Sequence, residues 1–260
     1  MIDVVKHNSA AWDQEVDNFG RWTQAVDSET VKRARAGDWS IRLTPVKSVP
    51  DEWFGDLAGK DLLCLASGGG QQAPILAAAG ANVTSFDNSN QQLNQDSFVA
   101  ERDGLSIRIE QGDAADLSRF PDDSFDLIFN PCSNVFMPDL KPIWNECYRI
   151  LRRGGSLLTG FVKPELFIFD QYERERGNLV VRHSLPYSDE GSLDANELGE
   201  KINALEPLEF GHTLEDQIGL QTAAGFHIVG LYEDYWYADT DEDALDAFMP
   251  SFVATRSVKP

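Results

Sequence analysis

Leu62-Leu63-Cys64-Leu65-Ala66-Ser67-Gly68-Gly69-Gly70 is the stretch on which the fold turns. It reads as a short buried strand that breaks into three consecutive glycines. A helix follows at once, from Gln71 to Ala79, and Gly80 closes it. Glycines at a strand-to-helix switch let a backbone pass close to a ligand where any Cβ would clash. In an open α/β sheet that switch lies at the carboxyl end of the first strand, where such folds bind nucleotides. Downstream, Asp87 ends the largely apolar run Ala81-Asn82-Val83-Thr84-Ser85-Phe86. A carboxylate there can accept hydrogen bonds from both hydroxyls of a ribose, which points to an adenosine-type cofactor.

From 60 to 162 strands and helices alternate, the pattern of a parallel sheet with crossovers. The expected strands are 61–66, 82–87, 106–110, 125–130 and 156–161. The expected helices are 71–79, 89–103 and 139–150. Ser89 and Asp139 are read as caps, Gly104 as a stop, Pro142 as a first-turn residue, and 152–155 as the turn into the fifth strand. Residues 1–58 hold four of the six tryptophans (Trp12, Trp22, Trp39 and Trp53) and read as a cap of two helices, 9–19 and 28–36, the second capped by Ser28. An extended piece through 41–45 follows. Residues 163–212 are too long for a simple loop and are expected to fold over the sheet edge as a substrate lid. Alternation resumes with a helix at 214–224, where Thr213 and Asp216 have capping-box spacing. Strands at 226–232 and 252–258, with an acidic helix at 241–248 between them, complete the core. The domain reading is therefore 1–58, 59–162, 163–212 and 213–260.

Composition narrows the function. Apolar residues make up 42% of the 260, enough for a packed core, and no run approaches the roughly 18 residues of a membrane span. Acidic residues outnumber basic ones by 43 to 22, giving a net charge of −21. A protein that grips a phosphate backbone usually carries a basic patch, so nucleic acid is not the expected partner. The three cysteines (Cys64, Cys132 and Cys147) cannot all pair. With no export signal visible at the start, they read as reduced thiols in a cytoplasm. No His/Cys cluster has metal-ligand spacing, so no metal is expected.

Two readings compete at the glycines. Gly68-Gly69-Gly70-Gln71-Gln72-Ala73 matches the dinucleotide fingerprint G-x-G-x-x-A, with Asp87 near the expected distance. The other ligand is S-adenosylmethionine, which has no pyrophosphate. Later landmarks arbitrate: Gly112-Asp113-Ala114 after the third strand, Phe120-Pro121-Asp122-Asp123-Ser124-Phe125-Asp126 before the fourth, and Tyr148 to Gly155 before the fifth. In this order and spacing the chain resembles the class I S-adenosylmethionine-dependent methyltransferases, in particular the small-molecule branch that includes quinone-biosynthesis C-methyltransferases. The resemblance covers residues 60–162 and 213–258. The run 208–219, Asn130-Pro131-Cys132-Ser133-Asn134 and the Trp-rich start look like a bacterial group of uncharacterised methyltransferases.

The resemblance implies a doubly wound, mostly parallel seven-stranded sheet and a methyl transfer from S-adenosylmethionine to a small-molecule acceptor, leaving S-adenosylhomocysteine. It assigns the cofactor to Ala66, Ser67, Gly68, Gly70, Asp87, Asn88, Asp113, Ala114 and Asn130, with Asp87 on the ribose and Asp113 on the adenine amine. The chain departs from the family's acidic-x-Gly-x-Gly-x-Gly loop at two positions: Cys64 replaces the acid and Ala66 the first glycine. The alanine is expected to be mild if its φ is negative. No residue is obliged to be catalytic, because positioning alone can supply roughly 7–11 kcal/mol of such a barrier. Candidates for a base or orienter are Asn134, His183, Tyr187 and His212. The competing functions are a non-catalytic cofactor-binding protein and a nicotinamide-dependent oxidoreductase.

Overall fold

A computed structural model describes residues 2–237 and 243–260. Helix α1 (Val4–Asp17) is capped by Asp3, whose side chain accepts from Lys6 N, and it starts five residues earlier than the sequence suggested. Helix α2 (Ser28–Arg35) takes its cap from Asp27, not Ser28. Then come β1 (Asp61–Leu65), α3 (Gln72–Ala78), β2 (Asn82–Asp87), α4 (Asn90–Asp103), β3 (Ile107–Gln111), β4 (Phe125–Asn130), α5 (Lys141–Ile150) and β5 (Leu151–Val162). Ser89 caps α4 as expected, and Gly104 ends it in the left-handed conformation at φ +61°. Asp139 makes an Asx turn to Lys141 N (2.9 Å) and so sits one residue before the N-cap of α5. The expected turn at 152–155 is absorbed into a longer β5, where the ladder to β4 shifts register between Phe125 and Leu127.

The insertion after β5 carries secondary structure of its own. It contains α6 (Gln171–Glu175), β6 (Tyr187–Ser188), α7 (Asp189–Ser192), α8 (Ala195–Asn203) and β7 (Phe210–Gly211). Thr213 and Asp216 form the expected reciprocal cap, with both bonds at 3.1 Å. The helix they start is a π-turn over Glu215–Gly219 that leads into α9 (Leu220–Ala224). Strands β8 (His227–Asp234) and β9 (Phe252–Val258) finish the chain. Of the expected acidic helix at 241–248, residues 241 and 242 lie outside the described residues, and 243–248 form turns.

The sheet order is β3-β2-β1-β4-β5-β9-β8, and β9 runs antiparallel to both of its neighbours. Four of the five β1 residues are fully buried, as a central parallel strand covered on both faces requires. One face packs Leu62, Cys64 and Phe129 under α3 and residues 41–57. The other packs Leu63, Leu65 and Ile128 under α5. Trp53 and Trp39 belong to the first layer, edge-on or tilted against Tyr232 and Phe54. Residues 41–44 lie so close to the sheet that a Cβ on Gly160 would run into the Leu43 carbonyl. Asp234 pins that segment, its Oδ2 accepting from Thr44 Oγ1 (2.7 Å), Val46 N (2.9 Å) and Lys47 N (2.8 Å). No described helix is long and apolar enough to cross a membrane.

Candidate active site

The carboxyl ends of β1, β2 and β4 open into one cavity of about 1230 Å³. Ala66, Ser67, Gly68, Asp87, Asn88, Asp113 and Ala114 line it; Gly70 and Asn130 do not. Asp87 is buried, and each of its oxygens accepts one backbone N–H: Oδ2 from Gly68 and Oδ1 from Ser89, both at 3.0 Å. A carboxylate has about four acceptor sites, so lone pairs remain for ligand hydroxyls. Burial pushes its carboxyl upward from the ordinary range. Asp113 folds Oδ1 back onto Ala115 N (2.9 Å). Asn88 is anchored by its carbonyl, which accepts from Ser9 Oγ of α1 (2.8 Å) and from Gln111 Nε2 (3.0 Å).

Protein acceptors hold the N–H groups of the glycine loop. Ala66 N donates to Phe86 O (2.7 Å), Gly69 N to Gln92 O (2.9 Å) and Gly70 N to Asp96 Oδ1 (2.8 Å), besides the Gly68–Asp87 bond. The close approaches at the glycines are also to protein. A Cβ on Gly68 would meet Gln92 at 2.7 Å, one on Gly69 the Trp22 carbonyl at 2.9 Å, and one on Gly70 Ala25 at 2.7 Å. The N-terminal segment is thus packed onto the loop, and Val26 N donates to Gly70 O (2.9 Å). Ala66 has φ +48°, so the expectation of a mild replacement fails: a Cβ stands where the chain needs the left-handed region.

These details separate the two cofactors. A pyrophosphate needs free N–H groups at the helix N-terminus; here those of Gly68 to Gly70 are engaged, and two carboxylates, Asp87 and Asp96, lie behind them. Beside the loop Ser67 Oγ and Gln92 Oε1, both on cavity-lining residues, are buried and find no partner among the described residues. Such a set of acceptors and anions suits a ligand rich in hydroxyl and ammonium donors. S-adenosylmethionine fits it and a dinucleotide does not.

The remaining site expectations divide. Asn130 is fully buried and acts as a strut: Nδ2 donates to Leu65 O (2.9 Å) and Ser133 Oγ (2.7 Å), while Oδ1 accepts from Thr159 Oγ1 (2.9 Å). Asn134 is also buried, donating to Gln217 Oε1 (3.1 Å). His212 is a core histidine whose Nε2 lies 2.7 Å from Met137 O; since a carbonyl only accepts, that nitrogen carries the proton. Burial holds His212 below the usual histidine range. His183 and Tyr187 face the cavity. The Tyr187 hydroxyl donates to Asp189 Oδ1 (2.7 Å), and burial together with that carboxylate pushes its pKa up, so it stays protonated. His183 lies edge-on to Tyr187 at 5.1 Å, and burial, with Arg182 next, lowers its pKa, leaving a neutral imidazole at pH 7. Cys132 lines the cavity with its thiol pushed up by burial, which argues against a thiolate nucleophile. Trp12 and Trp22 line it as well, whereas Trp39 packs in the core.

Sequence reasoning missed Asp96 and Asp13. Asp96 lies in α4 on the same buried stripe as Leu93 and Val99, and that spacing is the signal that could have found it. Asp13 of α1 accepts from Ser89 Oγ (2.6 Å) and Gln91 N (2.9 Å), fastening the N-terminal cap to the turn that carries Asp87.

Fold and site together define a class I S-adenosylmethionine-dependent methyltransferase. The family described as "Methyltransferase domain" matches residues 63–159. A protein of Bacillus subtilis (strain 168) named "Uncharacterized methyltransferase YbaJ" is 49% identical over 259 residues, covering the whole of both chains. A sterol 24-C-methyltransferase of Gibberella zeae is 34% identical over 109 residues, which are 41% of this chain and 27% of that enzyme. Among solved structures, an S-adenosylmethionine-dependent methyltransferase from Mesorhizobium loti superposes with a TM-score of 0.62 at 17% identity, covering 80% of this chain and 94% of that one. The chain belongs to the class I S-adenosylmethionine-dependent methyltransferases.

Proposed function

We propose that the cofactor lies along the carboxyl ends of β1 and β2, and that its methyl passes to a small-molecule acceptor held under the insertion. The observation that carries this reading is the continuity of the cavity. Beyond Ser67, Asp87 and Asp113 the same space runs past Cys132, Ser133 and Phe136 to Phe167, Phe169, His183 and Tyr187. Its volume of about 1230 Å³ exceeds the ~300–1,000 Å³ typical of a single ligand site, leaving room for a second molecule. That continuity also favours an enzyme over a non-catalytic cofactor-binding protein. The Gibberella relative is named for a sterol acceptor, in keeping with a small molecule.

Within this reading Asp87 holds the ribose hydroxyls and Asp113 and Ala114 the adenine. Ser67 and Gln92 receive the amino-acid end, with Ala66 and Gly68 shaping the loop. The bound cofactor supplies an already activated methyl on a sulfonium, so the chain's task is alignment and exclusion of water. His183, neutral at pH 7 and facing the cavity, is the candidate to take a proton from an acceptor that must lose one. Residues 1–58 form a cap and 163–212 a lid. The net charge of −21 disfavours nucleic acid, and the three free cysteines fit a cytoplasmic setting. The test is an acceptor screen that follows S-adenosylhomocysteine release with labelled cofactor. Label in a small molecule is the expected result; label only in protein or nucleic acid would overturn the assignment.

A further inference from the structure

Asp96 is a fully buried carboxylate with no task in the reading above. Its Oδ1 accepts from Gly70 N (2.8 Å) and its Oδ2 from Ser85 Oγ (2.6 Å). The groups that face it are Cys64 of β1, Ser85 and Asp87 of β2, and the glycine loop; within α4, Gln92 lies one turn back. No salt bridge joins it among the described residues. A buried carboxylate ordinarily has a cationic partner or titrates to neutrality. Here the protein supplies hydrogen-bond donors and no cation, while the ligand assigned to this loop carries an ammonium and a sulfonium.

The position of Asp96 relative to β1 is informative. Cys64 and Ser85 are Cα partners in the β1–β2 ladder, so the Ser85–Asp96 bond places the carboxylate beside Cys64. Cys64 is where the resembling loop motif carries an acid. Its own thiol is pushed up by burial and by the neighbouring Asp96, so it supplies no charge. We propose that Asp96 takes over this acidic role from α4, holding the Gly70 N–H and setting a negative charge behind the glycine loop that favours the ammonium and sulfonium of S-adenosylmethionine. It is a positioning residue, and the proposal rests on the cofactor site described under Proposed function.

The test is calorimetric titration of the full chain and of Asp96→Asn with S-adenosylmethionine and, in parallel, with adenosine, alongside thermal melts without ligand. At about pH 8 the variant should bind S-adenosylmethionine about ten- to thirtyfold more weakly and adenosine equally well. Burial raises the Asp96 carboxyl to about 7, so the gap should narrow at about pH 6. The folded protein holds that proton more tightly than the unfolded chain, so the stability it confers is full below about pH 4 and lost as pH rises through about 7. The unliganded variant should therefore melt higher than the parent at about pH 8, the opposite of what a merely structural role gives. Equal S-adenosylmethionine binding by both proteins at about pH 8, or an equal loss of both ligands, would overturn the proposal. A parent protein that binds neither ligand would overturn the cofactor site itself. Should Asp96→Asn fail to fold, the parent alone decides. Its S-adenosylmethionine affinity must rise with pH through about 7 while adenosine affinity stays level, and two level profiles reject the role.

Discussion

Ala66 adopts φ +48° at the end of β1, where a backbone of opposite handedness opens the cofactor loop. Its identity was legible in the sequence and its backbone was not, because an alanine carries no local signal for the left-handed region, and Ala66 N pairs with Phe86 O of the neighbouring strand only in the folded chain. An alanine held in this region costs on the order of 1–2 kcal/mol, partly offset by the unfolded-state freedom a glycine would add. Ala66→Gly is therefore expected to raise the melting temperature by about 1–3 °C and to leave cofactor affinity level or better. Differential scanning calorimetry reads the first, and a lower melting temperature would contradict it. The placement of Asp87 and Asp113 was legible because the first ends a strand and the second follows one, in a fixed order, and both line the cavity. Asp96 was not, since an aspartate within a polar helix reads as solvated until the helix is packed. Asn130 and His212 fit the sequence pattern but are occupied by their own neighbours, which only the packed structure reveals.

Among the elements, the strands of the core were readable because central parallel strands are short apolar runs between turn signals. Helix α8 escaped because its apolar content is thin, Leu198 and Ile202 against Val4, Leu208 and Phe210. Its Asp194-Ala195-Asn196-Glu197 capping box was the available signal. Helix α1 joins three parts of the site. Asp13 and Ser9 fasten it to the turn after β2. Its buried Asn8 donates to Phe136 O and Leu208 O (both 3.0 Å) and accepts from Leu208 N (2.8 Å). Removing that amide leaves three backbone groups unpaired, a cost of about 2–3 kcal/mol. Asn8→Ala should lower the melting temperature by about 4–10 °C and speed hydrogen exchange around Leu208. An unchanged melt would mean that the cap is not held through this residue.

The molecule as a whole is a mostly parallel sheet whose cavity is lined by residues from the N-terminal segment and from the segment after β5, the proposed cap and lid. The sequence set both segments apart from the alternating core, but their contacts depend on tertiary packing that no local pattern encodes. The cavity joins an end rich in acceptors, at Ser67, Asp87 and Asp113, to an aromatic end beneath the insertion. The account's central claim is that Asp87 organises the first of these ends. It ties the glycine loop to the β2 turn, each oxygen accepting one backbone N–H, and the lone pairs left over are those the proposed function gives to the ribose. A hydrogen bond with one charged partner is worth on the order of 1.5–3 kcal/mol. The most direct measurement is therefore isothermal titration of the parent chain and Asp87→Ala with S-adenosylmethionine, both proteins first verified as folded. The account predicts saturable binding by the parent and affinity about ten- to a hundredfold weaker in the variant; equal affinities would contradict it.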